Sequence, residues 1–242
     1  IKIYHITSTP LAPLEVIGVG ASDIYGNPST TIYHPPIIPP VADANGPYTG
    51  SEGSPIIFDG SGSYDSDGTI VSYEWDLDGD GQYDDATGPQ VTHTWGDEYS
   101  GTVGLKVTDN NGATDTDSTT ITIVNAAPIV LAGPHQTVDE GGFISLSPAA
   151  FMDPGFTDTF TATIDWGDGT SEPPADIILT WTPGQEGVPT MGTAQAAHAY
   201  EDNGDYTVTI TVTDDDGGVG RDTLIVTVRN VAPTADGHGP YS

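Results

Sequence analysis

The 242-residue sequence contains no cysteine and only four lysine or arginine side chains, Lys2, Lys106, Arg221 and Arg229. Without cysteine, disulfide bonds and thiolate metal sites are excluded. The 35 acidic residues give a formal net charge of -31. A chain this acidic repels a phosphate backbone, so nucleic acid is excluded as a partner. The sequence also lacks an apolar run of about 18 residues, the minimum that would predict a span across a membrane.

Sequence signatures of common enzyme classes are missing as well. The chain has no H-E-x-x-H, no G-x-S-x-G, no P-loop and no glycine-rich dinucleotide motif, and its six histidines are scattered. Paired carboxylates can hydrolyse glycosides, but here they lie in aspartate-rich turns rather than in a predicted cleft. We therefore expect no enzyme activity.

What the sequence has in excess is aspartate, with 27 Asp against 8 Glu. Surface solubility does not require this preference, because glutamate solubilises equally well. The shorter aspartate side chain suits tight turns and oxygen-rich cation sites. A second explanation is a protein from a high-salt habitat, where salt screens the repulsion between acidic surface groups.

An internal repeat organises most of the chain. Residues 93–128 align without gaps to residues 198–233 at an offset of 105, which indicates one module used twice. Stretches such as TVGLKVTD and TVTITVTD alternate apolar and polar residues, the period of a half-buried strand, and glycine-rich turns follow them. Gly and Pro interrupt every candidate helix. We predict an all-β chain of two tandem immunoglobulin-like, antiparallel β-sandwiches with an extended N-terminal segment.

The repeat predicts four regions along the chain. They are a strand-like segment with a proline-rich linker (1–40), a first module (41–126), a second module (127–233) and the start of a truncated third module or a C-terminal tail (234–242). An unpaired apolar strand near the N-terminus could complete the sheet of a neighbouring copy, with the short C-terminal module as acceptor. A fragment cut from a longer chain would look the same.

The stretches YEWDLDGDG and ATIDWGDGT, each followed by HTW or HAY and a final VTD turn, resemble PKD (polycystic kidney disease) domains. The resemblance covers residues 41–233 and implies immunoglobulin-like sandwiches in an extracellular protein. In the first copy Trp75 and Asp76 fit the family's WDFGDG signature. In the second copy Ile164 stands where tryptophan is expected and Trp166 replaces phenylalanine, so we expect a different core packing there.

The first-copy turn carries the strongest candidate for a cation site, and calcium is the predicted cofactor. Its acids alternate in the pattern D-x-D-x-D-G-x-x-D, which aims side chains around one hard cation, although Thr87 replaces the final bidentate glutamate of an EF-hand. A solvated acidic turn is the alternative. The candidate ligands are Asp76, Asp78, Asp80, Gln82, Asp84 and Asp85.

Weaker calcium candidates lie elsewhere in the repeat. In the second copy, Asp165 and Asp168 are more simply explained as turn residues that accept backbone N–H bonds. The resemblance to PKD modules implies that calcium can bind near a module junction, where Glu52 and Glu140 recur. It also adds the hairpin acids Asp214, Asp215 and Asp216, which are common turn formers as well.

These observations predict a non-catalytic structural or adhesive module outside the cell or on its surface: a calcium-stiffened rod of a surface layer, adhesin or filament. Its partners would be neighbouring copies of itself or other cell-surface proteins. The alternative is an accessory module that positions a secreted enzyme on a polysaccharide or protein polymer.

Overall fold

The computed structural model describes residues 16–20, 29–33, 36–172 and 176–234. These residues form β-strands joined by turns, and they contain no α-helix. Accordingly, no helix in this part of the chain is long and apolar enough to cross a bilayer. Near the N-terminus, β1 (Val16–Gly20) pairs antiparallel with β2 (Ser29–Tyr33). The predicted N-terminal strand IKIYHITS and most of the predicted third module lie outside the described residues.

The first module contains strands β3 to β9. A five-stranded sheet has the order β3-β9-β8-β5-β6, and β4 pairs with β7 to form a second, two-stranded sheet. Pairing is antiparallel except that β3 runs parallel to β9. The strands are β3 (Tyr48–Ser51), β4 (Ile56–Asp59), β5 (Ile70–Asp76), β6 (Ala86–Thr87), β7 (Gln90–His93), β8 (Tyr99–Asp109) and β9 (Thr114–Val124).

The second module repeats this plan and enlarges it. Its five-stranded sheet has the order β11-β20-β19-β14-β15, with β11 parallel to β20, and β12 pairs with β18. A further four-stranded sheet, β10-β13-β17-β16, has no counterpart in the first module. The strands are β10 (Ile129–Leu131), β11 (Gln136–Asp139), β12 (Phe143–Ser145), β13 (Ala149–Asp153), β14 (Phe160–Asp165), β15 (Ser171–Glu172), β16 (Ile178–Thr182), β17 (Thr190–Gln195), β18 (Ala197–Ala199), β19 (Gly204–Asp214) and β20 (Val219–Arg229).

Each module has its own hydrophobic core. In the first core Trp75 lies opposite Leu105, and its indole N–H donates to the carbonyl of Gly88 at 2.9 Å. In the second core Ile164 occupies the position of Trp75, while Trp166 occupies the position of Leu77 two residues along. All four side chains are buried. The large ring has therefore moved along the strand, which explains how the second copy tolerates the altered signature.

The long hairpins show why the repeat predicts the fold well. Strands β8–β9 and β19–β20 each pair over ten residue positions, and the turn glycines Gly112 and Gly217 have φ of 87° and 90°. A side chain at such a φ would be strained. The alternating pattern sets which face enters the core, and the turn sets the register. These two hairpins form the scaffold that places the loops described below.

Candidate functional site

The acidic turn from Asp76 to Asp85 is held together by its own backbone. Asp76 accepts the N–H groups of Gly79 at 2.7 Å and Gly81 at 2.9 Å, one on each carboxylate oxygen. Asp85 likewise accepts two N–H groups, those of Leu77 at 2.6 Å and of the following residue at 3.1 Å. Charge-assisted bonds of this kind are stronger than neutral ones. They account for part of the crowding without a cation.

Three acids of this turn remain close enough to share an ion. One carboxylate oxygen each of Asp76, Asp78 and Asp80 lies within 4.8 Å of the others. The other three predicted ligands, Gln82, Asp84 and Asp85, are exposed. Among the described residues, neither Asp84 nor Asp85 joins the cluster of the three acids. Calcium in this turn stays a prediction.

The corresponding turn of the second module is tied to a histidine. Asp165 accepts the N–H of Gly167 at 2.9 Å, and Asp168 accepts the N–H of Thr170 at 2.9 Å. Asp168 also contacts Nε2 of His198 at 2.7 Å, and the His198 ring stacks on Trp166. Both carboxylates therefore accept backbone N–H groups of the turn, and Asp168 also contacts His198 of β18. Calcium at these two residues stays a prediction.

The junction between the modules is formed by direct backbone contacts. The carbonyl of Gly96 in the first module accepts the N–H groups of Phe156 at 3.0 Å and Thr157 at 3.2 Å in the second, and the Thr157 hydroxyl at 2.9 Å. A Cβ built on Gly53 would overlap the carbonyl oxygen of Pro154. The two modules therefore meet at positions where only glycine fits, and this close approach fixes how one follows the other.

Carboxylates from both modules converge at the same junction. They form three overlapping groups, in each of which one carboxylate oxygen of every member lies within 4.8 Å of one from each other member. No lysine or arginine in the described part of the chain forms an ion pair with them. The groups are Glu52 with Asp153 and Asp158; Glu52 with Asp97, Glu98 and Asp216; and Asp158 with Asp215 and Asp216.

The buried members of these groups have fewer hydrogen-bond donors around them than their oxygens need. Glu52 and Asp153 have no exposed surface, and Asp158 is 5% exposed. Glu52 accepts the N–H of Ala126 at 2.8 Å with one oxygen, and Asp153 accepts that of Gly155 at 2.7 Å. The second oxygen of each, and both oxygens of Asp158, are buried without a hydrogen-bond partner. Such unpaired buried oxygens are rare in proteins.

This arrangement disfavours the charged form of each group. Burial raises the pKa of Glu52 to about 7, that of Asp153 to about 6 and that of Asp158 to about 8, because a buried carboxylate loses its hydration. On the exposed side, hydrogen bonding to the Asp216 carboxyl raises the pKa of Glu98 to about 7. Two charged oxygens no more than 4.8 Å apart repel by at least about 3 kcal/mol at an effective dielectric constant of about 20. A cation would remove this penalty.

Only part of this cluster was predicted from the sequence. Glu52, Asp215 and Asp216 were among the candidates, and Asp214 lies beside them with one buried oxygen unpaired. Glu140 does not join them. It is at the far end of the second module, where it accepts the N–H of Val231 at 3.0 Å, as Glu52 accepts that of Ala126.

Four further members of the cluster, Asp97, Glu98, Asp153 and Asp158, were missed. Asp97, Glu98 and Asp158 lie in loops and Asp153 is the last residue of β13. None of the four belongs to a motif, and the only signal in the sequence is their position. Asp97 and Glu98 precede β8, at the same end of the first module at which Glu52 follows β3. Asp153 and Asp158 precede β14, beside the turn between β19 and β20. The topology of the repeat could have placed these loops at the junction.

Comparison with known proteins identifies the repeated unit. A sequence model of the PKD domain matches residues 38–123 and again residues 125–228. The two matches together cover well over half of the chain, and each match contains one of the two hydrophobic cores.

The chain is similar to parts of several collagenases. It is 35% identical over 108 residues to collagenase ColQ1 of Bacillus cereus, covering 45% of this chain and 11% of the relative. It is 42% identical over 74 residues to collagenase ColA of Clostridium perfringens, covering 31% of this chain and 6% of the relative. The chain thus spans about a tenth or less of these collagenases. The PKD1 domain of Vibrio anguillarum Epp is a similar solved structure, 31% identical, covering 36% of this chain and 96% of that one, with a TM-score of 0.30.

Proposed function

The chain belongs to the PKD family, and on this basis we propose that it is a non-catalytic spacer in an extracellular protein, which holds its neighbours at a set distance. The observation that carries the proposal is the direct junction between the modules. Three hydrogen bonds to the Gly96 carbonyl and the contact of Gly53 with Pro154 join them without an intervening flexible linker. Two modules with a fixed junction hold the segments on either side at a constant distance, whereas a flexible junction would let that distance vary.

The spacer proposal also fits the extent of the similarity to known enzymes. The matched part covers 11% of collagenase ColQ1 and 6% of collagenase ColA, and both family-model matches in this chain are PKD domains. The proposal includes calcium as the ion that neutralises carboxylates on the spacer. Assembly by strand donation would use the N-terminal segment 1–40 and the C-terminal residues 234–242, most of which lie outside the described residues, so it stays a prediction.

The experiment compares Gly53→Ala with Gly141→Ala. Both glycines have positive φ, 66° and 71°, and each donates its N–H to the carbonyl of an aromatic residue. Both substitutions therefore strain the backbone by about 1–2 kcal/mol. Only at Gly53 does the added Cβ meet the other module, since around Gly141 there is nothing within 4 Å.

The readout is the distance between spin labels in the two modules. Cysteine placed at the exposed positions Thr120 and Thr180 can be labelled specifically because the chain has no cysteine of its own. We expect a narrow distance distribution for the parent chain and for Gly141→Ala, and a broadened or shifted one for Gly53→Ala. Identical distributions for all three would contradict a junction fixed by this contact.

A second candidate function is contact with an insoluble polymer, as in the accessory role predicted from the sequence. The observation that favours it is an apolar row on the outer face of the four-stranded sheet. Ile129, Met152 and Met191 are direct neighbours across β10, β13 and β17, and they are 55%, 37% and 52% exposed. Exposed apolar rows of this kind often mark interaction sites.

A further inference from the structure

We propose that the open edge of β16 (Ile178–Thr182) pairs antiparallel with the same edge of a second copy, so that two chains form a two-fold symmetric dimer through their second modules. In this pairing Thr180 lies opposite Thr180 of the second copy, and the two four-stranded sheets become one continuous sheet. The inference goes beyond the spacer function, because it names a partner outside the chain.

The edge of β16 is the longest open strand edge in the described part of the two modules. β16 pairs with β17 on one side, and among the described residues no strand lies on its other side. It is five residues long, whereas every other described edge strand of the modules has four residues or fewer. Alternate N–H and C=O groups along such an edge point away from the sheet and can pair with a further strand.

β16 also lacks the features that normally keep a strand edge from pairing. Natural sheets protect their edges with charged residues, proline or β-bulges. The sequence of β16 is ILTWT, which has neither charge nor proline, in a chain with 35 acidic residues. Its pairing with β17 runs through all five residues without a bulge. Ile178 is 59% exposed and Trp181 is 36% exposed, so a second strand would cover apolar surface.

The hairpin that carries this edge is not needed to complete a sandwich of this family. β16 and β17 belong to the four-stranded sheet, which has no counterpart in the first module, and the first module forms its core without it. The edge therefore occurs once in the described part of each chain. A single patch that contacts its own copy gives a closed two-fold dimer, whereas a contact between two different patches can continue into a filament.

The sequence of β16 is complementary to itself when the two strands are centred on Thr180. Leu179 and Trp181 face the core, where Trp181 contacts the ring of Phe160 edge-on at 5.7 Å. In the symmetric register Leu179 of one copy lies opposite Trp181 of the other and covers the exposed side of its ring. On the outer face the two copies of Thr180 form a threonine pair, a favourable pair across neighbouring strands.

This register also keeps carboxylates apart. The nearest acid before the strand is Asp176, and the symmetric pairing places it opposite Gly184. The net charge of -31 on each copy still opposes association at long range, and salt screens that repulsion. An edge of five residues is also small beside a standard interface of about 1,600 Å². We therefore expect a dimer in equilibrium with monomer, with a dissociation constant that falls as sodium chloride is added.

Disulfide cross-linking of Thr180→Cys in the full chain tests the register, because the chain has no cysteine of its own. Opposite residues of antiparallel strands have Cα atoms about 4.5–5.5 Å apart, which a disulfide can span. Thr182→Cys is the matched control, since Thr182 is an exposed threonine of the same strand. Its two copies would lie about 14 Å apart along the strands. In oxidised glutathione Thr180→Cys should form a linked dimer at least tenfold faster than Thr182→Cys.

Thr180→Asp and Thr180→Lys, alone and mixed, test the pairing without a covalent bond. Either variant alone places like charges opposite each other at the centre of the pair, which should raise the dissociation constant about tenfold or more. An equal mixture of the two places opposite charges there and should restore the dimer. Thr120→Asp and Thr120→Lys carry the same changes in net charge on an exposed position of β9, an interior strand, and should dimerise as the parent does.

Sedimentation equilibrium over a range of protein and salt concentrations measures the dissociation constants, and scanning calorimetry checks that each variant folds. A parent chain that stays monomeric at every concentration, in low and in molar sodium chloride, would refute the dimer. Equal cross-linking rates for the two cysteine variants would refute the register. A dimer of unchanged strength in Thr180→Asp and Thr180→Lys would refute β16 as the contact. A monomeric parent whose retention on insoluble collagen is lost in Thr180→Asp would refute the pairing and assign this edge to the polymer.

Discussion

Replacing Asp76 with asparagine tests what holds the acidic turn of the first module. Asp76 is 6% exposed, and its two oxygens accept the N–H groups of Gly79 and Gly81. Asparagine keeps one carbonyl acceptor and places an NH₂ group against the other N–H. One charge-assisted hydrogen bond is lost, which costs about 1.5–3 kcal/mol. For a domain of this size the unfolding temperature should fall by at least about 6 °C.

Scanning calorimetry in chelator and in calcium is the assay. The fall should appear in chelator, because the lost bond is to the backbone and not to an ion. Asp165→Asn is the control in the second module, since Asp165 is exposed and, among the described residues, accepts the N–H of Gly167 alone. Its effect should stay below about 1 kcal/mol.

The double substitution Asp78→Asn and Asp80→Asn separates the two explanations of the turn. If the turn binds calcium, this variant should abolish any calcium-dependent rise in the unfolding temperature of the first module and leave the second module unchanged. If Asp76→Asn leaves the unfolding temperature in chelator unchanged and lowers it only in calcium, an ion stabilises the turn and the backbone hydrogen bonds to Asp76 do not.

Two further predictions concern the apolar row and the junction. Met152 and Met191 are exposed on neighbouring strands. Replacing both with serine should reduce retention on insoluble collagen in a sedimentation assay without lowering the unfolding temperature. Equal retention of variant and parent would argue against this face as a contact surface for the polymer. The raised pKa values of Glu52, Asp153 and Asp158, about 7, 6 and 8, mean that the folded state binds more protons than the unfolded state between about pH 4 and 8. Stability in chelator should therefore fall as the pH rises through this window, and it should fall less in Glu52→Gln. In saturating calcium the carboxylates are ionised and the fall should disappear; a fall that is equally steep in calcium and in chelator would contradict an ion at the junction.

The repeated fold could be predicted because its determinants are local. In β8–β9 and β19–β20 the alternation of apolar and polar residues, with Gly112 and Gly217 at the turns, specifies a hairpin within about 30 residues. The same pattern occurs twice, so each copy supports the other. The hairpin of β16 and β17 interrupts the repeat in one copy only, and no second copy could indicate it.

The junction site could not be predicted in the same way, because its ligands are distant in sequence. Glu52 and Asp158 are brought together by the path of the linker and by the contact of Gly53 with Pro154. Periodicity reports which face of a strand is buried, but it does not report how two sandwiches meet. The acidic turn at Asp76 has the opposite property: its spacing is visible in the sequence, while the structure shows its charge already engaged by backbone N–H groups.

The distribution of acids between the two copies bears on why the chain is so acidic. A surface adapted to high salt would carry acids at corresponding positions of both copies, because both copies face the same solvent. At an offset of 105, two junction acids have neutral counterparts in the first copy: Asp215 corresponds to Asn110 and Asp216 to Asn111. The loop of Asp97 and Glu98 shows no such difference, because its counterpart carries Glu201 and Asp202. The local structure is nevertheless conserved between copies, since the Asn110 side chain accepts the Thr69 N–H at 2.7 Å just as Asp215 accepts the Thr159 N–H at 2.9 Å. Asparagine thus suffices for the turn, and the extra charge of Asp215 and Asp216 lies where the modules meet. Halophilic adaptation does not predict this difference between the two β-hairpin turns, whereas the cation binding proposed for the spacer would.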